Sequence, residues 1–301
     1  MAFSTSNIKA TAVQTFMEGL LTDNNDWAQI CNLMNQDVAS IRLAGIKASP
    51  NIPTWDGTSS IATDAPSEDL TTTLTFAAYA QQCRLSKFDI KDNPELVSLV
   101  SNKMARSVNS TMRNLAYSRL AGAFSTQLSD GADVCATAGR TDSAGDTRVN
   151  QVTDALSQSA FEDAIEALRK FKTANAQSND VVDMGRIFLV VPPELEVLAR
   201  QIVGSDFHGG AHTDDTFNRK NTMQGRATVL VSNQLVDSND YFLVSEPPIS
   251  PLVFWTRSAP EYSAVIDQDN QYLKLTTIFA AVANWRPDPT GIMGGAVTGG
   301  G

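Results

Sequence analysis

The only two histidines of the chain, His208 and His212, stand four residues apart in Asp206-Phe207-His208-Gly209-Gly210-Ala211-His212-Thr213-Asp214-Asp215. Imidazole nitrogens beside carboxylates are common donors for zinc and related ions, so the stretch invites a metal reading. Gly209 and Gly210 oppose it, because they spoil the helix that would align such a pair. No HExxH arrangement or further histidine completes a ligand set. Ser205, Asp206 and His208 likewise suggest a hydrolase, yet a triad needs its groups on rigid elements brought together by the fold, and these share one polar turn. The pairs Asp214-Asp215 and Glu68-Asp69 read as solvated surface acids rather than acid/base catalysts.

The remaining chemistry-bearing patterns are absent. There is no phosphate-cradling GxxxxGK[ST], no GxGxxG after a strand and no GxSxG elbow. Cys31, Cys83 and Cys135 are odd in number, widely spaced and form no CxxC pair, as expected of thiols in a reducing cytoplasm. The chain is therefore expected to hold no catalytic residue, no cofactor and no metal, and not to be an enzyme.

With 301 residues, 42% hydrophobic and 19% charged, the chain suits one or two globular domains. A net charge of -10 opposes gripping a polyphosphate, since DNA-binding surfaces need clustered Lys and Arg. If nucleic acid is nearby, a chain of this charge is expected to enclose it rather than grip it. No basic segment leads into an apolar run at the N-terminus, and no stretch approaches a bilayer span, so a cytoplasmic protein with no membrane partner is expected.

The elements that would position any site follow from periodicity. Residues 7–24 carry Ile8, Val13, Phe16, Met17, Leu20 and Leu21, which predicts a short amphipathic helix, extended as an arm by Trp27, Ile30 and Leu33. Residues 48–86 contain Pro50, Pro53, Gly57 and Pro66 and no lysine, and read as a long projecting loop. Its return limb through Leu74, Phe76, Leu85, Phe88 and Ile90 predicts a two-stranded hairpin, marginal in water unless a neighbour covers it. Asn93-Pro94-Glu95 opens a long helix, with Asn93 as acceptor for the first backbone donors. Leu96, Val97, Val100, Met104, Val108, Leu115 and Leu120 continue it to about Phe124, for a length of about 45 Å.

Residues 127–150 read as a polar loop or hairpin, and Ser159 with Glu162 predicts a capping box for a helix through Phe161, Ala164, Ile165, Leu168 and Phe171. The apolar run from Arg186 to Val191 reads as a buried strand, with Pro193 opening a helix through Leu195, Leu198, Ala199 and Ile202. Residues 228–231 and 241–244 are further strands. Residues 252–255, 262–266 and 272–285 read as antiparallel strands with a turn at 267–270, and 294–301 as a frayed tail.

Arm, projecting hairpin, very long helix, α/β module and return strands, in that order, resemble the Hong Kong 97-type capsid fold of tailed bacteriophages, an α+β architecture. The chain is most similar to Mu-like major head subunits in Arg186-Ile187-Phe188-Leu189-Val190-Val191-Pro192-Pro193-Glu194-Leu195-Glu196, in Ala199-Arg200-Gln201-Ile202, and in 221–225 leading into Val229-Leu230-Val231. Tyr241-Phe242-Leu243-Val244, residues 16–30 with Trp27, and Trp55-Asp56-Gly57 add to the resemblance.

The resemblance implies an N-terminal arm at 1–47, an extended E-loop hairpin at 48–91, a peripheral domain with the spine helix at 92–180 and 245–301, and an axial domain at 181–244. It implies a major capsid protein that self-assembles into hexamers and pentamers of an icosahedral shell enclosing double-stranded DNA, built in the host bacterial cytoplasm. Trp27, Trp55, Asp56, Phe76, His208 and Phe217 are then expected at contacts between subunits. A separate scaffolding protein, or prior trimming of a longer chain, is implied because the chain starts directly at the arm, without the helical extension that serves some relatives as scaffold; a portal and decoration proteins are further implied partners. Isopeptide cross-linking is not expected, since 48–86 lacks a lysine and the peripheral strand offers Lys274-Leu275. The alternative is an encapsulin-like nanocompartment shell, which shares the architecture but packages protein.

Overall fold

The computed structural model describes residues 5–22, 25–46, 68–137, 140–141, 147–170, 184–206, 220–267, 272–287 and 290–296. Helix α1 (Thr5–Thr22) leads to β1 (Asn32–Asn35), and β2 (Ser40–Ile46) pairs with β3 (Glu68–Thr75) as an antiparallel hairpin. Next come β4 (Ala77–Ser86), a short α2 (Lys87–Asp92) and the long α3 (Leu96–Ala121). After β5 (Arg140–Thr141), β6 (Thr147–Arg148) and β7 (Gln151–Val152) come α4 (Gln158–Arg169), β8 (Ile187–Val191), α5 (Glu196–Gly204) and β9 (Thr228–Val231). The chain then forms β10 (Tyr241–Ser245), β11 (Leu252–Asp267), β12 (Tyr272–Trp285) and β13 (Ile292–Gly295).

Helix α3 has 26 residues, about 39 Å at ~1.5 Å per residue. Its predicted apolar positions Val97, Met104, Val108 and Leu120 are buried. They pack on a four-stranded sheet of order β1-β11-β12-β4, in which only β1 runs parallel to its neighbour. Helix α1 lies on α3 through Ala12 and Phe16, and Phe16 stacks on Tyr262 of β11 at 4.3 Å. The long helix starts two residues after Pro94, and Asn93 contributes its backbone carbonyl to Leu96 N rather than a side-chain cap. The intervening α2 is capped reciprocally by Ser86 and Asp89, a box the sequence carried in plain view.

A second sheet of order β7-β13-β10-β8-β9 explains the continuous apolar runs. Phe188, Val190, Phe242 and Val244 face the core beneath α3 and the four-stranded sheet, while Leu189, Val191, Tyr241 and Leu243 face α4 and α5. A sheet covered on both faces tolerates no alternation. This sheet takes β7 and β13 from segments that the resemblance assigns to the peripheral domain.

Three expectations need correction. Helix α4 is capped by Ser157, whose extended backbone lets its hydroxyl accept from Ala160 N at 3.1 Å, so Ser159 lies within the first turn. Residues 252–255 and 262–266 are one 16-residue strand, because bulges between Thr256 and Glu261 let the ladder pass Pro260, which has no N–H to give. The glycines at 294 and 295 are no frayed tail but sit in β13, buried between β7 and β10. A Cβ on Gly294 would lie 2.6 Å from the Phe124 ring and one on Gly295 2.1 Å from the Tyr241 ring, so glycine serves close packing there rather than flexibility. The distal parts of that tail and of the E-loop fall outside the described residues, as do Phe171 and the turn after Asp267.

Candidate assembly interface

Among the described residues no constellation for catalysis emerges. Among the described residues no three His, Cys, Asp or Glu side chains gather as a metal site, and no helix is long and apolar enough to cross a membrane. No cysteine forms a disulfide, and burial pushes the Cys31 thiol well above its ordinary range, which removes it as a nucleophile. Asp206 accepts from Gln224 Nε2 at 2.6 Å, and the Ser205 carbonyl accepts from Asn221 Nδ2 at 3.0 Å, so both are parts of a turn framework. Asn221 anchors that framework: it also donates to Ile202 O at 2.7 Å and accepts from Met223 N at 2.9 Å. The stretch from Asn221 that carried the resemblance is thus built to hold α5 against β9.

Of the six residues expected at subunit contacts, two are described. Trp27 is buried, its ring 4.4 Å from Phe254 and its backbone N–H donating to Asp26 Oδ1 at 2.8 Å. It serves the core of its own chain. Phe76 is half-buried at the joint between β3 and β4, against a small cluster of Leu74, Val253 and Trp255. Trp55, Asp56, His208 and Phe217 lie outside the described residues, as do His212 and the pair Asp214-Asp215.

Surfaces that the sequence reading did not single out are better placed for contacts. Val13, Met17 and Leu21 form an exposed ridge at four-residue spacing on the outer side of α1, with Leu21 84% exposed. The spacing was legible, but the sequence does not say which side of an amphipathic helix is covered by its own chain. Leu33 and Met34 of β1 are also exposed, as is Val236 in the loop before β10. Strand β4 ends one side of the four-stranded sheet with Ala77, Ala78 and Ala80 exposed, and β9 ends the five-stranded one. Open edges and apolar ridges of this kind are the usual raw material of association.

Comparison with known proteins shows the family and the fold. A family model described as phage capsid protein matches residues 69–293, most of the chain. No curated protein sequence matches. Among solved structures, the mature capsid of bacteriophage PhiM1 is similar with a TM-score of 0.62 at 11% identity, over 93% of this chain and 89% of that one. Mycobacterium phage Che8 gives a TM-score of 0.54 at 15% identity, over 93% of each chain. A virus-like particle from Pyrococcus furiosus gives 0.52 at 11% identity, over 96% of this chain and 97% of that one. At such identities the likeness concerns the fold, which is the Hong Kong 97-type capsid fold. With that fold, and with the family model covering most of both sheets and the whole of the long helix, the chain belongs to the phage capsid protein family.

Proposed function

We propose that this structural major capsid protein of a tailed phage closes an icosahedral shell by laying its β2–β3 hairpin across a neighbouring copy within hexamers and pentamers. One observation carries the reading. Among the described residues, the apolar contact of the hairpin with the body is the small cluster of Leu74, Val253 and Trp255, joined by Ile41, Leu43, Phe76 and Val282, and Thr71 N adds a hydrogen bond to Ser129 Oγ. A two-stranded ribbon of this sort is marginal in water and gains its stability from whatever covers it. In this reading residues 1–47 form the arm, 48–91 the E-loop, 92–180 and 245–301 the peripheral domain and 181–244 the axial domain, with Trp55, Asp56, Phe76, His208 and Phe217 at contacts.

Ring closure needs a contact between two different surfaces of the same chain, and many modest contacts of that type make a stable shell from weak pairs. The chain supplies no catalysis and encloses double-stranded DNA without specific binding, consistent with its charge of -10. Assembly proceeds in the host cytoplasm with a separate scaffolding protein and a portal. Deleting residues 54–69 should leave a soluble, folded subunit that forms no shells in electron micrographs. Normal shells from that deletion would refute the reading, and shells filled with protein cargo would turn it toward a nanocompartment.

A further inference from the structure

Among the described residues, the outer edges of β4 and β2 pair with no strand and cannot serve each other within one chain. Strand β4 ends the four-stranded sheet, so its outer side pairs with no strand among the described residues, and the outer side of β2 is in the same condition in its two-stranded sheet. The outer side of β3 is partly covered, because Thr71 N donates to Ser129 Oγ at 3.1 Å. Strand β3 runs into β4 with Phe76 alone between them. Reversing a strand takes a turn of at least about two residues, so a single residue carries the chain onward and the hairpin cannot fold back beside β4.

Strand β4 carries little to repel an incoming strand. It has ten residues, no proline, no acid and a run of small exposed side chains at Ala77, Ala78 and Ala80. Beside it a cavity of about 280 Å³ opens between α3 and the sheet, lined by Tyr79 and Gln81 of β4, Ser107 and Thr111 of α3, and Thr277 and Phe279 of β12. The Thr277 hydroxyl is buried in that wall with no hydrogen-bond partner, a condition folded proteins seldom leave uncorrected.

We infer that β2 of a second copy adds to the outer edge of β4, extending the sheet across the subunit boundary and placing one side chain of its exposed Ser40, Arg42 and Ala44 face in the cavity beside Thr277. Seven residues of β2 fit within the ten of β4. Ile41 and Leu43, on the opposite face of β2, stay in the small cluster of their own chain. Backbone pairing supplies the attraction and the cavity the selectivity, as in strand addition generally. The contact joins two different surfaces, the kind that rings require. It rests on the assembly reading above, because copies meet there.

Hydrogen exchange read by mass spectrometry, on intact shells and on subunits dissociated from them, tests the inference without fixing a register. Amides of both 40–46 and 77–86 should slow by about tenfold or more on assembly. The variant Ala80→Lys, with a charge set on the edge, should lower shell yield by about tenfold while the subunit keeps its melting temperature. Unchanged exchange of either strand inside intact shells overturns the inference, including protection of 77–86 alone, which would mean another segment occupies the edge. Full shell yield from Ala80→Lys overturns it too. Failure of the wild-type chain to form any shell would instead remove the assembly reading, and this inference with it, so the two failures are distinguishable.

Discussion

Strands β8 and β10 bury every residue they contain, between the core under α3 on one side and α4 with α5 on the other. Strands β2 and β3 meet the body through one cluster of three fully buried side chains and a few half-buried ones. The same chain thus holds a region that needs no neighbour and a region whose apolar content is too small to hold it alone. Burial of a large aliphatic side chain contributes roughly 1.5–3 kcal/mol, so the first region accumulates stability with each residue while the second, paired within its own ribbon, has few such side chains to bury. In a subunit that must fold alone and then assemble, this division separates the two events.

The largest expected effect lies in the first region. Leu243→Ala, which empties a fully buried site between the sheet and α4, should cost about 2–5 kcal/mol, read as a lowered denaturant midpoint of the isolated subunit. A loss below that range would break the comparison. Leu74→Ala should cost about 2 kcal/mol at most, because the hairpin can shift to fill the space. Its signature is local: exchange should quicken in 40–46 and 68–75 alone, and shells should be lost although the body still melts as before. A global drop in melting temperature would show that the hairpin is integral to the fold.

A smaller effect concerns the loop before β10. Burial, with Asp237 nearby, pushes the Asp240 carboxyl up to about 6. An acid whose folded value exceeds its unfolded one binds its proton more tightly when folded, so stability falls as pH rises from about 4 to 6. Asp240→Asn should therefore melt above the wild type at pH 7 and level with it at pH 4, and equal melting at both would refute the assignment. The smallest effect sharpens the comparison at the edge of the second region. Thr277→Val removes a buried hydroxyl without a partner and should leave the isolated subunit unchanged or more stable by up to about 1 kcal/mol. In shells the same substitution should weaken cohesion, read as disassembly at lower denaturant.

Much of the framework was legible because it depends on short-range periodicity. The stripe through Val97, Met104, Val108 and Leu120 declares α3, and the run from Ile187 to Val191 declares a strand covered on both faces. Residues 228–231 and 241–244 were placed for the same reason. The candidate interface was less legible. Trp27 looked like a contact residue and proved to be core, because an aromatic side chain carries the same hydrophobic signal toward its own chain as toward another. The open edge of β4 has no signature at all, since an edge is defined by which strand fails to arrive.

Sequence alone determined the helices, most strands and the absence of recognisable catalytic motifs, each a property of neighbouring residues and their spacing. Only the tertiary structure decided that Gly294 and Gly295 form a buried strand against Phe124 and Tyr241, that two short strands merge past Pro260, and that β7 and β13 join the sheet of β8 and β10. Those outcomes turn on contacts between residues far apart in the chain. Close packing there rewards the smallest side chain with a place in the core, where local propensity would have put it in a loop.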